Sequence, residues 1–259
     1  MRTPDMLPAL GPDQDFPVPP FAKAVLANGL RVLAVRVPSV PLVEMRVRVP
    51  LPAVIGHSTS VQQVLARALL HRRVHGFPDA VVTAGHGAAC LTISGSMAAT
   101  ALRRVLEAVT ESLTSPRYDT GTCRAASRRL AAHSALVRAQ PSTIAREALL
   151  RHVYGGAFHS TFVADEDTAP VTPEQLTGLH GEVVRPDGAA LVLVGDLDPE
   201  TAVRELPSAL SAWHSPQGAG SGRPRSSASR QSASPPPAFA GRGVVFVPRH
   251  GAVQSQIML

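Results

Sequence analysis

The chain has 259 residues, 44% of them hydrophobic, so it is long enough for one large domain or for one domain and part of a second. Its formal charge of +6 comes almost wholly from arginine, since Lys23 is the sole lysine. The arginines fall in scattered pairs without interleaved aromatic residues, which disfavours a nucleic-acid surface, and no run of apolar residues is long enough to predict a membrane helix.

The cysteines and the first residues of the chain bear on the cellular compartment. The two cysteines, Cys90 and Cys123, are explained more simply as separate core thiols than as a disulfide, which fits a reducing environment. The first residues show no basic segment followed by an apolar one, so no secretory signal is predicted. We therefore expect a cytoplasmic protein.

The first half of the chain predicts strands followed by an amphipathic helix. After an extended, proline-rich arm over residues 1–20, we predict strands at Leu30–Val37 and Leu42–Val49 from their apolar patterns. The stretch Val61–Gly76 carries apolar residues at helical spacing, which favours a helix packed on a sheet. Its apolar stripe consists of Val61, Val64, Leu65, Ala68 and Leu69. Two short strands are predicted within residues 80–95, around Gly85–Gly87.

The second half is predicted to be mainly helical. The apolar run Gly188–Gly195 is bounded by turn signals and is predicted to be a buried strand. The predicted helices are Met97–Leu113, one capped at Asp119 or Thr120 and ending near Gln140, one opened by Pro141, and two begun by the capping signals Thr172–Gln175 and Asp198–Glu200. The pattern predicts an α+β fold with a mixed or antiparallel sheet of five or six strands covered by several helices.

The end of the chain repeats its beginning. Residues 215–241 are rich in Ser, Gly, Pro and Arg and are predicted to be a flexible linker. Beyond them, Gly243–Leu259 matches Arg31–Val47 without a gap, which indicates a second copy of the domain. The alternative is that any two hairpins look alike. We expect a domain over residues 21–214, and over 242–259 the first strands of a second, incomplete domain.

Several short motifs occur in a distinctive order. They are Asn28–Val32 leading into a strand, Tyr154–Gly156, Thr172–Leu176 and Val194–Leu197. Together they resemble one half of an insulinase/pitrilysin-type zinc peptidase, and more closely the bacterial relatives of the mitochondrial processing peptidase. The resemblance covers roughly residues 21–213 and the start of the repeated domain.

That family binds zinc through a helix with the pattern His-x-x-Glu-His, in which the glutamate is the general base, and through a later glutamate. Alignment on this resemblance places Val64 and Ala68 at the histidine positions, Arg67 at the base, and His133 on or near the later ligand. Valine and alanine have no donor atom, and arginine cannot accept a proton from water. The resemblance thus implies a degenerate site, with no metal or cofactor in this chain.

A second histidine pair lies just beyond that helix. His71 and His75 stand four residues apart, a spacing that can chelate a metal. The pair is seven residues beyond the family position, however, and Val74 stands where the base would be. Exposed or structural histidines are therefore the favoured interpretation.

The resemblance implies a function in a pair of subunits. One subunit of such a pair keeps the zinc helix, and the other closes the peptide-binding chamber. We expect this chain to be the non-catalytic subunit, inactive alone, with zinc held by a homologous partner and with peptide substrates bound in extended form along a sheet edge. The alternative is a structural or peptide-binding scaffold with no part in proteolysis, and the sequence does not separate the two.

Overall fold

The computed structural model describes residues 17–51, 59–70, 74–87, 90–154, 170–214, 243–249, 251, 255 and 257. The strands within these residues are β1 (Phe21–Val25), β2 (Arg31–Arg36), β3 (Leu42–Pro50), β4 (Ala80–His86), β5 (Cys90–Ala98) and β6 (Ala190–Gly195). The helices are α1 (Thr59–Ala68), α2 (Leu102–Thr114), α3 (Thr120–Arg138), α4 (Pro141–Tyr154), α5 (Pro173–Val183) and α6 (Pro199–Leu210). None of these helices is long and apolar enough to cross a membrane.

The six described strands form one mixed sheet in the order β1-β2-β6-β3-β5-β4. The late strand β6 inserts between two early ones, parallel to β2 and antiparallel to β3. In this position Leu193 pairs with Met45, and both side chains are fully buried. The predicted α+β fold with a mixed sheet of five or six strands is therefore confirmed.

One face of the sheet carries the core. Along β3 the side chains alternate strictly, because successive residues of a strand point to opposite faces. Val43, Met45, Val47 and Val49 are buried, whereas Glu44, Arg46 and Arg48 are exposed. The same core includes Leu65 of α1, Leu106 of α2, Leu176 of α5 and Trp213. Within the described residues the helices cover one face, and the other carries charge.

The motif at Asn28 and Gly29 is explained by a turn that joins distant parts of the domain. Gly29 has a φ of +86°, and a Cβ there would lie 3.2 Å from the Cα of Asp187. The side-chain amide of Asn28 donates to the backbone carbonyl of Trp213 at 2.7 Å. The turn thus fastens the residues after α6 to the start of β2.

Gly195 ends β6 at a point of very close backbone approach. Its φ is +149°, and an added Cβ would lie 2.8 Å from the Cα of Val43 and closer still to the carbonyl of Leu42. No other residue fits without displacing β3. The following cap, in which Asp198 accepts from the backbone N–H of Thr201 at 2.8 Å, then starts α6 as predicted.

One strand was missed, and the boundaries of two predicted helices were wrong. The strand after Asn28 is the second of the sheet and not the first, because Phe21–Val25 forms an edge strand paired with β2. The helix predicted from Met97 begins at Leu102, since β5 continues to Ala98 and buries Met97 opposite Val43. Finally, α1 begins at Thr59 and ends at Ala68, and Val74–Gly76, predicted as the end of this helix, form a separate short 3-10 turn.

The predicted second copy stays a prediction. Residues 243–249 form no strand, and Val244 and Phe246 are 97% and 84% exposed. The predicted linker and all but residues 17–20 of the predicted arm lie outside the described residues.

Candidate functional site

The helix α1 is packed on several sides, against α3, α5 and β4. Seven of its ten residues are buried, namely five apolar residues together with Ser60 and Gln63. Val64 is 1% exposed and Ala68 is 4% exposed, and both belong to the main apolar core. The two positions that the family resemblance assigns to zinc-binding histidines therefore hold packing residues.

Arg67 differs from its apolar neighbours on α1, since it places a charge in a partly buried position. Its Nη1 donates to the backbone carbonyl of Gln63, one turn earlier, at 3.2 Å. This bond is the whole of its pairing within the described part of the chain, where no carboxylate reaches it. Burial lowers the pKa of the guanidinium, which reflects the cost of removing a charge from water without an opposite charge.

His86 lies beside this helix at the last position of β4. Its Nε2–H donates to Oε1 of Gln62 at 2.9 Å, because an amide oxygen can only accept. The other ring nitrogen, Nδ1, is shielded from solvent and has no hydrogen-bond partner among the described residues. The pKa of His86 is lowered, first by burial and second by the charge of Arg67. The ring is therefore held neutral, with an unused acceptor atom.

These residues form a small polar cluster, which we call the Arg67 cluster: Gln62, Gln63, Arg67 and His86. It joins one end of β4 to the side of α1. Sequence reasoning singled out Arg67 but missed His86 as its neighbour. The sequence did place His86 in a turn between two predicted strands. No sequence pattern, however, shows which helix such a turn contacts.

The other residues named by the resemblance or by spacing are not brought into this cluster. His133 is exposed on α3. His71 lies outside the described residues, and so does the side chain of His75. Among the described residues, no three His, Cys, Asp or Glu side chains are grouped to hold a metal ion.

Zinc therefore does not fit the site in this chain. Val64 and Ala68 present only methyl groups to their neighbours, and the guanidinium of Arg67 would repel a cation. The identification of these positions with the family's zinc helix remains a prediction from the resemblance.

A second buried histidine has a different environment. His180 lies on the buried side of α5, where its Nε2–H donates to the carbonyl of Leu113 at 2.9 Å. The hydroxyl of Tyr118 donates to Nδ1 of the same ring at 2.7 Å. Burial raises the pKa of Tyr118, so the phenol stays protonated and serves as this donor. Every polar atom of the pair has a partner, which is typical of a structural contact.

The strand β4 ends the sheet, and no described strand pairs with its outer edge. Val81, Thr83 and Gly85 are exposed along it, whereas Val82 points into the core. An edge of this kind offers backbone N–H and C=O groups to an extended chain. The Arg67 cluster lies at the end of this edge, where β4 finishes at His86.

Several solved structures share this fold, and two of them are described as M16 or M16-like peptidases. An inactive domain of peptidase M16 from Pseudomonas fluorescens has a TM-score of 0.64 at 18% identity, over 76% of this chain and 52% of that one. A protease from Helicobacter pylori has a TM-score of 0.66 at 15% identity, over 80% of this chain and 53% of that one. An M16-like peptidase from Alicyclobacillus acidocaldarius has a TM-score of 0.63 at 15% identity, over 76% and 51%.

The chain thus spans about half the length of each of these structures. No sequence model of a protein family matches it, and no curated protein matches it either. At such low identities the likeness establishes the fold, which is that of an M16 peptidase half.

Proposed function

We propose that the chain is the non-catalytic subunit of a heterodimeric M16-type peptidase. In this proposal it closes the peptide-binding chamber, and a homologous partner carries the zinc ion and the catalytic residues. The observation that carries the proposal is the burial of Val64 and Ala68 in the apolar core of a helix that stands after β3 in an M16 fold. Such a helix has no place for a metal.

The proposed contribution to peptide binding rests on the sheet. The outer edge of β4 is free of any described strand, so an extended peptide can add to it through backbone hydrogen bonds. The face of the sheet that the described helices leave open carries Glu44, Arg46 and Arg48, which suits a wall in contact with water and polar groups rather than a buried interface.

The proposal is tested by reconstitution. The chain is purified alone and together with an M16 homologue of the same organism that keeps the intact His-x-x-Glu-His helix. We expect the isolated chain to hold no stoichiometric zinc and to cleave no peptide, and the pair to cleave peptides faster than the homologue alone. Metal analysis and a fluorogenic peptide library provide the two measurements.

The scaffold alternative predicts a different result. If the homologue cleaves equally well with and without this chain, the chain has no part in proteolysis. A tightly bound zinc ion in the isolated chain, lost on replacing His133, would contradict both alternatives.

A further inference from the structure

Arg67, in the Arg67 cluster, carries a charge that no carboxylate among the described residues neutralises. Arg67 is partly buried, its pKa is lowered by burial, and within the described part of the chain it donates only to the carbonyl of Gln63. By comparison, the arginines that form ion pairs within the described residues are exposed, such as Arg103 with Glu107 at 3.1 Å. A partly buried charge without a counter-ion costs free energy, whereas an exposed one costs little. The cluster is therefore incomplete without an anion.

His86, in the same cluster, lacks one hydrogen-bond partner among the described residues. Nδ1 of His86 is shielded from solvent and has no partner in the described part of the chain, while Nε2–H donates to Oε1 of Gln62 at 2.9 Å. The charge of Arg67 contributes to keeping this ring neutral. A carboxylate bound to Arg67 would oppose that effect and favour the imidazolium form, whose Nδ1–H can then donate to the carboxylate oxygen. Among the described charged groups, Arg67 is the one that acts on His86.

We propose that Arg67 and His86 form a carboxylate-binding site at the end of the β4 edge, which selects peptides bearing a negatively charged group. This inference rests on the proposed function in that it names the class of peptide. Arginine matches a carboxylate in two parallel hydrogen bonds, and such charge-assisted bonds are stronger than neutral ones. The carboxylate comes either from an acidic side chain or from the free end of a peptide.

The test uses the full chain, without a partner subunit, and three peptides of alternating valine and threonine. One has a central glutamate and blocked ends, the second has glutamine instead, and the third has glutamine and a free carboxyl end. Isothermal titration gives each affinity. We expect the glutamate peptide or the free-end peptide to bind at least tenfold more tightly than the blocked glutamine peptide. The first outcome identifies a side-chain carboxylate, and the second identifies a chain end.

Variants locate the effect. Arg67→Gln is expected to abolish the preference for the carboxylate, and Arg67→Lys to retain part of it because lysine keeps the charge without the planar fork. The matched control is Arg103→Gln, which removes an exposed arginine that pairs with Glu107 on α2 and is expected to keep the full preference. Thermal melting of each variant confirms that it is folded.

A second measurement addresses His86. Titration in two buffers of different ionisation enthalpy is expected to show proton uptake on carboxylate binding, and His86→Asn is expected to remove it. Equal affinity for all three peptides would overturn the proposal, and so would a preference that survives Arg67→Gln. These results are separable from the pairing experiment, because a chain can activate its partner without any carboxylate preference, and can show the preference without activating a partner.

Discussion

The two histidines on the helix-covered side of the sheet have opposite environments. His180 donates through Nε2 to Leu113, and His86 donates through Nε2 to Gln62, both at 2.9 Å. Their other nitrogens differ. Nδ1 of His180 accepts from the hydroxyl of Tyr118 at 2.7 Å, whereas Nδ1 of His86 is hidden from solvent and finds no partner among the described residues.

This difference separates a structural histidine from one in a candidate binding site. A complete set of hydrogen bonds fixes a ring and stabilises the fold, so His180 needs nothing from outside the chain. An incomplete set next to a partly buried arginine costs stability, and such costs are concentrated at sites that act on a ligand. The comparison assigns His180 to the core and His86, with Arg67, to binding.

The largest expected effect on stability comes from placing histidines in the apolar core, where their ring nitrogens would find no hydrogen-bond partner. Val64→His combined with Ala68→His puts two polar rings into the apolar core, and we expect the free energy of unfolding to fall by about 1–3 kcal/mol at each position. Adding Arg67→Glu should still give no tight zinc site, since His133 is exposed on α3 and the later ligand is absent. Urea unfolding and metal analysis check both parts. A stable, zinc-binding triple variant would show that this side of α1 is open.

The next effect tests the comparison directly. His180→Ala removes partners from the carbonyl of Leu113 and the hydroxyl of Tyr118 and leaves a cavity, so we expect a loss of about 2–4 kcal/mol in the free energy of unfolding. His86→Ala frees only the amide of Gln62 at the end of an edge strand and should cost about 1 kcal/mol or less. Urea unfolding of the two variants gives the ranking. If both variants lose the same free energy of unfolding, the two histidines do not differ in their contribution to the fold.

Much of the fold could be predicted from the sequence, because capping and periodicity are local signals. The capping box of Thr172 with Gln175 starts α5 as predicted, and Asp119 caps α3. The edge strand Phe21–Val25 was missed because its short apolar pattern follows a proline-rich arm without a boundary. Its place beside β2 depends on pairing with a distant segment.

The Arg67 cluster could not be predicted from the sequence as fully as the fold, for a physical reason. Spacing along α1 identified Arg67, but the contact between α1 and His86 depends on how a helix packs on a strand that follows it in sequence. Likewise, the contact of Tyr118 with His180 spans 62 residues. Short motifs in the sequence therefore indicated the turns and caps of the fold, whereas the pairing of polar side chains across elements required the structure.

A smaller effect is expected from removing the charge at Arg67. Because the guanidinium is partly buried and no described carboxylate pairs with it, Arg67→Met should leave the free energy of unfolding unchanged or raise it by about 1 kcal/mol or less. The matched change Arg103→Met breaks an exposed ion pair with Glu107 and should lower it slightly, by about 0.5 kcal/mol or less. Chemical denaturation measures both. A large loss at Arg67 would mean that its charge is stabilised within the chain, and would weaken the case for a missing anion.

The smallest effect concerns pH. The pKa of His86 lies below its ordinary value of 6.5 in the folded chain, first because the ring is buried and second because Arg67 is near. The unfolded chain therefore binds more protons at this residue than the folded chain does, so the free energy of unfolding falls as the pH drops through about 6.5 and levels off below the folded pKa. His86→Asn should remove this part of the pH dependence. Arg67→Gln should raise the pKa of His86 in the folded chain, so that the stability levels off at a higher pH. Urea unfolding across this range, with NMR titration of the imidazole, measures both shifts. A His86 pKa at or above 6.5 in the folded chain would mean that a negative charge already stands beside the ring, and the contrast with His180 would then lose its basis.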